Sequence, residues 1–282
     1  MESIKMLLIK MKFPKISVLM SVYNGEKHLE ESIKSILNQT FKDFEFIIFN
    51  DGSTDRTPII LEKFRKMDTR IKVIHQKNIG LTKSLNKGIK LSLGKYIARM
   101  DADDIAIPNR LEKQIEFIKN NFQLGAIGCW YYLINEYGDI IKKCKPSPKF
   151  SKIKRNLVNS APLIHPALMI KKEILEKINY YDEEFKYSQD RDLLLRILSH
   201  SKLGIIPEFL LKLRYSKESI SLQKETEQKK YCLLALRRAI KNGIYPKWYY
   251  LFTLRLIISI HLPTPLKILK NNLFRIIGLR HD

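Results

Sequence analysis

Residues 16–55 read ISVLMSVYNGEKHLEESIKSILNQTFKDFEFIIFNDGSTD, and this stretch decides the fold. Ile16–Val22 is a continuous apolar run, the pattern of a strand covered on both faces in a parallel sheet. Leu29, Ile33, Ile36 and Leu37 then recur at helical spacing and stop at the polar pair Gln39–Thr40. Phe44–Phe49 predicts a second strand. Downstream the alternation continues. Thr57–Pro58 opens a helix carrying Ile60, Leu61 and Phe64, with proline where its missing N–H costs nothing. Ile71–His75 predicts a third strand, Leu81, Leu85 and Ile89 a third helix, and Lys95–Met100 a fourth strand. Strand and helix in repeated alternation predict a doubly wound α/β domain, whose ligands bind off the carboxyl ends of the strands.

Beyond Asp104 the pattern loosens. Pro108 is expected to open a helix with Leu111, Ile115 and Ile118 on one face. Ala126–Ile134 reads as a strand, and Glu136–Asp139 as a hairpin turn into Ile140–Ile141. Ile164–Ile170 reads as another strand, and Gln189–His200 as a helix with Leu193, Leu194 and Ile197 inward. Strands at Leu203–Ile206 and Leu210–Tyr215 close this α+β half. From Gln223 the chain reads as helical and basic, divided by Pro246 and Pro263 into three helices.

Composition narrows the class. The chain has 282 residues, 45% of them hydrophobic and 28% charged, enough apolar content for a large core and too much for a disordered polymer. No apolar run reaches the ~18 residues of a membrane span. Cys129, Cys144 and Cys232 lie too far apart for a CxxC zinc site and are too few for a disulfide framework. The opening Met1–Lys12 lacks the apolar core of a signal peptide. These features predict a cytoplasmic protein. The net charge of +22 fits nucleic acid, an anionic lipid surface or phosphorylated substrates. Gln228–Asp282 carries eleven Lys/Arg and one acidic residue, and Lys142–Arg155 seven positive charges and no negative one.

Three polar clusters follow three of the strands: Tyr23-Asn24-Gly25-Glu26, Asn50-Asp51-Gly52-Ser53-Thr54-Asp55, and Asp101-Ala102-Asp103-Asp104. One such loop alone is ordinary turn chemistry. Three at the carboxyl ends of parallel strands predict a shared site. Asp101, Asp103 and Asp104 lie within four residues and repel one another unless a positive charge sits between them. A hard divalent cation, held by one or two carboxylates and substrate phosphates, is the usual neutraliser.

The run from Ile16 to Thr57 resembles the nucleotide half of family 2 glycosyltransferases, and YIARMDADDIAIPNRLEKQ (96–114) resembles their metal-binding motif. HPALMIKKEILEKINYYDEEF (165–185) and SQDRDLLLRI (188–197) extend the similarity to about Lys15–Ser221, with four motifs in the family order. The resemblance implies a GT-A fold over 13–221, with a nucleotide-sugar half at 13–107 and an acceptor half at 108–221. A basic amphipathic helical tail would follow at 222–282. It implies that Tyr23 flanks the base, usually uracil, that Val22 and Asn24 shape its pocket with Glu26, and that Asp51 hydrogen-bonds the base edge. Asp101 would meet the ribose and support a Mn2+ or Mg2+ ion that Asp103 coordinates. Lys83 reads equally as a diphosphate contact or a solvated helix lysine, and Asp104 as a ligand or a helix-entry residue. Asp190 matches the catalytic base, and as the start of a helix it is expected to be kept ionised by the helix dipole. His165 reads as an acceptor-site residue or a hydrogen-bonded core histidine.

The chain departs from the family pattern at Asn50, where Asp is frequent, and at Gln189, where Glu is common. Arg191 is less usual there and reads as a surface arginine or a contact to an acceptor phosphate. No QxxRW-like motif follows Asp190, so the resemblance implies addition of a single sugar with inversion, from a UDP-hexose or UDP-N-acetylhexosamine. The acceptor would be a saccharide or a polyprenyl-diphosphate-linked sugar. In the tail, cations interleaved with Leu, Ile, Phe, Trp and Tyr predict attachment to the inner face of the cell membrane, and Lys142–Arg155 would face the same phosphates. The apolar residues would otherwise pack on the domain or in a homodimer. Two rival readings are a nucleic-acid-binding protein, with Trp248-Tyr249-Tyr250 stacking on bases beside Lys247, and an inactive transferase-like partner subunit. Retention of Asp51, Asp101, Asp103 and Asp190 speaks against the last.

Overall fold

The computed structural model describes residues 13–215 and 224–261. Strand β1 (Ile16–Val22) pairs in parallel with β2 (Phe44–Asp51) on one side and β4 (Tyr96–Arg99) on the other, and β2 pairs in parallel with β3 (Ile71–Gln76). Helices α1 (Leu29–Leu37), α2 (Thr57–Met67) and α3 (Leu81–Leu91) make the crossovers. The chain winds outward from β1 to β3 and then returns to lay β4 on the far side of β1. Strand order therefore reverses between β1 and β4, and the loops there splay apart into a crevice.

The same sheet continues through the second half. β8 (Met169–Lys171) runs antiparallel to β4, and β6 (Leu124–Ile134) antiparallel to β8. β9 (Lys202–Arg214) runs parallel to β6, β5 (Ile105–Ala106) borders β9, and β7 (Ile140–Cys144) forms the hairpin with β6. The parallel pairing of β6 and β9 sends both their carboxyl ends toward the crevice.

Successive side chains of β1 explain its unbroken apolar sequence. Ile16, Val18, Met20 and Val22 face α1, α2 and α4 (Arg110–Asn120), burying Ile33, Leu61, Phe64 and Leu111 with them. Leu19 faces the other way, toward Leu85 and Ile89 of α3 and, in the same cluster, Leu193, Leu194 and Ile197 of α7 (Gln189–Ile197).

Several expectations need correction. Ile164–Ile170 is not one strand: Pro166 lies in a 3-10 turn, His165–Ala167, and only Met169–Lys171 pairs. The two predicted strands after Leu203 are one strand, β9, with a bulge where Cys129 pairs with Ile206 and Trp130 with Phe209. Pro207 sits in that bulge, where no ladder N–H is needed. The helix expected at Pro108 begins at Arg110. Helices α5 (Phe150–Asn156) and α6 (Lys172–Lys177) are too short for periodicity to reveal.

The C-terminal region is helical, as expected, but its first helix belongs to the body of the domain. Helix α8 (Glu225–Lys241) buries Ala235, Leu236, Ala239 and Ile240 in the cluster that holds α7, and Tyr245 after it is buried too. Arg238 donates to Asp182 at 2.6 Å and Glu184 at 2.9 Å, so this tail cation is already paired. Tyr249 packs on Tyr245 and Phe252, which removes it from the base-stacking role considered for Trp248–Tyr250. Helix α9 (Tyr250–His261) follows, and the third predicted helix lies outside the described residues. Among the described residues no helix is long and apolar enough to cross a membrane.

Candidate active site

The three predicted loops meet at the β1–β4 crevice. Val22 ends β1 buried, while Tyr23 emerges 54% exposed. Asn24 turns the chain at φ 50°, a left-handed conformation that Asn tolerates better than most side chains. Its Oδ1 accepts from Thr54 N at 2.8 Å and its N–H donates to Ser53 Oγ at 3.0 Å. Gly25 N donates to Thr57 Oγ1 at 2.9 Å, so the first loop is stitched to the second.

At the end of β2, the buried Asp51 accepts from Gln76 Nε2 at 2.8 Å, Ile79 N at 3.0 Å and Gly80 N at 2.8 Å. These bonds tie the loop before α3 to the strand end and fix the carboxylate in the crevice wall. Gly52 makes the approach possible: φ is 80°, and a Cβ would stand 2.7 Å from Asn78 N.

At the end of β4, Asp101 pairs with Arg99 and its backbone carbonyl accepts from Ser32 Oγ at 2.8 Å. Asp103 is exposed as a residue, yet desolvation of its carboxyl in the crevice and the Asp101 charge beside it push its pKa up to about 6. Asp104 is not a helix-entry residue, and it lies outside the cleft lining. Its side chain is buried, its Oδ1 accepts from Arg214 N at 2.8 Å, and a two-residue strand follows.

The resulting cleft of about 890 Å3 is lined by Val22, Tyr23, Asn24, Asp51, Asp101 and Asp103, together with the 135–137 turn, Arg214 and Tyr215. Two predicted members lie elsewhere. Glu26 is not in the cleft wall: its Oε2 accepts from Arg56 N at 2.9 Å and its N–H donates to Asp55 at 3.0 Å, a reciprocal clasp between the first two loops. Lys83 is exposed on the first turn of α3, outside the wall, and no carboxylate among the described residues pairs with it.

Asp190 is not among the residues that line the cleft, but it is near enough to Asp101 for the two charges to interact. Its Oδ1 accepts from Arg191 N at 2.8 Å. Burial, with a smaller push from Asp101, raises its pKa above the usual carboxylate range. Desolvation here opposes the helix dipole expected to keep it ionised. Ser188, in a left-handed turn before it, contacts Gln228 O and Cys232 Sγ of α8 at 3.3 and 3.2 Å, which anchors the start of α7.

His165 is hydrogen-bonded to Tyr181 Oη at 2.8 Å, the arrangement of a satisfied core histidine. Burial, and then the Arg99 charge, hold its pKa well below 6.5. A histidine kept neutral in the fold and free to protonate when unfolded favours folding above pH 6.5 and loses that contribution as pH falls below it. Wild type is therefore expected to lose melting temperature between pH 7.5 and 5.5, and His165→Gln to lose less, measured by thermal denaturation at both values. Equal losses would contradict the burial reading.

The sequence reading missed Arg214. Its side chain is 3% exposed, and it donates from Nε to Asp103 O at 2.8 Å, from Nη1 to Asn135 O at 3.1 Å and Glu136 O at 2.9 Å, and from Nη2 to Glu31 at 2.7 Å. One guanidinium thus joins the acidic motif, the β6–β7 turn and α1. The available signal was a lone arginine ending the apolar strand FLLKLR (209–214) at the face where the other strands carry their polar loops. Arg214→Ala is expected to cost about 3 kcal/mol, because it removes a buried guanidinium together with its ion pair and its bonds to three backbone carbonyls, and urea denaturation checks it. A loss within about 0.5 kcal/mol, ordinary for a surface change, would contradict the hub assignment.

A second hollow of about 520 Å3, lined by residues including Asn86, Tyr180, Arg196 and Arg238, is reached by none of the strand-end loops.

The family model described as glycosyl transferase family 2 matches residues 17–179. A glycosyltransferase of Methanocaldococcus jannaschii, uncharacterized, is 41% identical over 238 residues, which cover 83% of this chain and 82% of that one. The O-antigen biosynthesis glycosyltransferase WbnJ of Escherichia coli is 40% identical over 185 residues, covering 65% of this chain and 72% of the relative. Residues 1–349 of S. aureus TarS, solved with UDP-GlcNAc, superpose with a TM-score of 0.64 at 20% identity, covering 78% of this chain and 66% of that one. The mannosyltransferase PcManGT of Pyrobaculum calidifontis, solved with GDP-Man and Mn2+, superposes with a TM-score of 0.65 at 17% identity, over 90% of this chain and 72% of that one. The two structures share the GT-A fold with this chain. With a family model spanning the crevice loops and relatives at 40% identity or more, the chain belongs to glycosyl transferase family 2.

Proposed function

We propose that the chain transfers a single sugar from a UDP-hexose or UDP-N-acetylhexosamine to a saccharide or polyprenyl-diphosphate-linked acceptor. The transfer inverts the anomeric carbon and serves the synthesis of a surface polysaccharide or glycoconjugate, the setting named for the Escherichia coli relative. The observation that carries the reading is the convergence of Tyr23, Asp51, Asp101 and Asp103 in one cleft of a family 2 chain.

Each residue then has a task. Tyr23 offers an exposed ring to flank the base, and Val22 and Asn24 form the turn beside it. Asp51, fixed by three donors, turns its remaining acceptor capacity to the base edge. Asp101 meets the ribose. Asp190, raised in pKa, takes the proton of the acceptor hydroxyl as that oxygen attacks.

The donor set suits a divalent cation. Asp101 and Asp103 repel each other, as the upward shift of Asp103 registers, and among the described residues no cluster of three or more acidic, His or Cys side chains forms a closed cage. Two carboxylates completed by substrate phosphates and water are a Mg2+ or Mn2+ arrangement. Asp103, supported by Asp101, would hold the ion, which supplies charge neutralisation to the leaving diphosphate. The PcManGT structure contains Mn2+, which supports this reading by analogy.

The acceptor would be met at an anionic membrane surface, reached through the C-terminal region. Calorimetric titration with UDP and with GDP, each with and without Mn2+, tests the donor assignment. UDP is expected to bind more tightly, and more so with metal. Preference for GDP would overturn the uridine assignment, and binding of neither nucleotide the function.

A further inference from the structure

The notable feature outside the cleft is helix α9. Its sequence, YLFTLRLIISIH, is apolar around most of its circumference, which is the pattern of a buried helix. Only one side is covered. Thr253 is buried, and Phe252 and Tyr249 pack onto the domain cluster that α8 helps to form. On the open side Leu251, Leu254 and Ile258 are 66%, 53% and 55% exposed, and Trp248, one turn earlier, is 56% exposed. These positions recur at helical spacing and form one stripe. Twelve residues reach about 18 Å, too short for a bilayer core of about 30 Å.

The charge around the stripe has one sign. Lys241 and Lys247 flank the turn that leads into α9, both exposed and neither in an ion pair among the described residues. Helix α5 is tied to the same turn: Tyr245 Oη donates to Lys154 O at 2.6 Å, and Lys154 Nζ lies 5.5 Å from the Tyr245 ring centroid. Lys149, Lys152 and Arg155 are exposed on α5 and its entry, and no acidic residue occurs from Lys142 to Arg155. Glu225 and Glu227 lie in the first turn of α8, at the opposite end of that helix from the turn into α9.

We propose that the open face of α9, rimmed by Lys241, Lys247 and the α5 cations, seats in the interface of an anionic lipid bilayer. The stripe enters the acyl boundary and the cations meet headgroup phosphates. This deepens the membrane placement proposed above and rests on it, but not on the donor chemistry. It also moves the anchor from the tail as a whole to one face, because α8 packs into the core.

The test is co-sedimentation of the full chain with phosphatidylcholine vesicles, with and without phosphatidylglycerol, at low and high salt. Wild type is expected to bind the anionic vesicles at low salt and to release in high salt. The triple variant Leu251→Ser, Leu254→Ser, Ile258→Ser is expected to bind about a hundredfold less tightly, with circular dichroism and UDP release unchanged. Lys241→Glu with Lys247→Glu, which leaves the stripe intact, is expected to lose the preference for anionic vesicles. A chain ending at His261 is expected to keep binding. The proposal is overturned if wild type binds neither vesicle at low salt, or if the triple variant binds like wild type. It is equally overturned if removal of 262–282 alone abolishes binding, or if wild type is a dimer that the triple variant dissociates. UDP release without vesicles reads the catalytic proposal separately, so failure of one leaves the other standing or falling by its own measurement.

Discussion

Asp190→Asn is expected to lower kcat by about a thousandfold while donor affinity stays within about twofold of wild type. The separation follows from position. Tyr23, Asp51, Asp101 and Asp103 line the cleft, whereas Asp190 is not among its lining residues. Asparagine keeps an oxygen that can accept from Arg191 N, so the start of α7 is preserved. What disappears is the ability to take a proton. Burial raises the carboxyl's pKa, so the ionised form accepts a proton more readily than an exposed carboxylate would. Pre-steady-state and steady-state kinetics with one donor and a competent acceptor check the split. A variant with normal kcat would place the base elsewhere.

Asp103→Asn is expected to reduce turnover by about a hundredfold or more, and chelation of wild type by EDTA to reproduce the loss. The structural consequence runs the other way. In the metal-free protein Asp103 is raised by desolvation and by Asp101, so its ionised form disfavours the fold. Removing that charge is expected to leave the metal-free melting temperature unchanged or raised. A variant that loses activity without losing stability identifies a functional carboxylate. Full activity in EDTA would contradict the metal assignment.

The sequence made the first half of the molecule legible because its signals are local. β1, β2 and β4 each bury an apolar run, and the polar loops that follow them supply Asn24, Asp51, Asp101 and Asp103 to the cleft. In the second half the deciding facts are distant in sequence. Whether Leu203–Tyr215 forms one strand or two depends on its partner β6, across which Pro207 is absorbed as a bulge. The role of Arg214 depends on the 135–137 turn, Asp103 and Glu31 being brought around it. Glu26 shows the limit of motif reading: it stands in the predicted loop, yet its carboxylate is taken up by the Arg56 backbone. The tail shows a second limit. The apolar positions of α8 have the same composition whether they meet lipid or protein, and only the structure shows Ala235, Leu236, Ala239 and Ile240 inside the core while the stripe of α9 stays open.

The central claim, sugar transfer from a uridine diphosphate donor at the β1–β4 cleft, is tested most directly by nucleotide release from a panel of UDP-sugars and GDP-mannose, with and without Mn2+. The account predicts metal-dependent release of UDP from one UDP-sugar, stimulated by a saccharide or lipid-linked acceptor and abolished in Asp103→Asn. Release from GDP-mannose alone, or release of equal rate in Asp103→Asn, would contradict it.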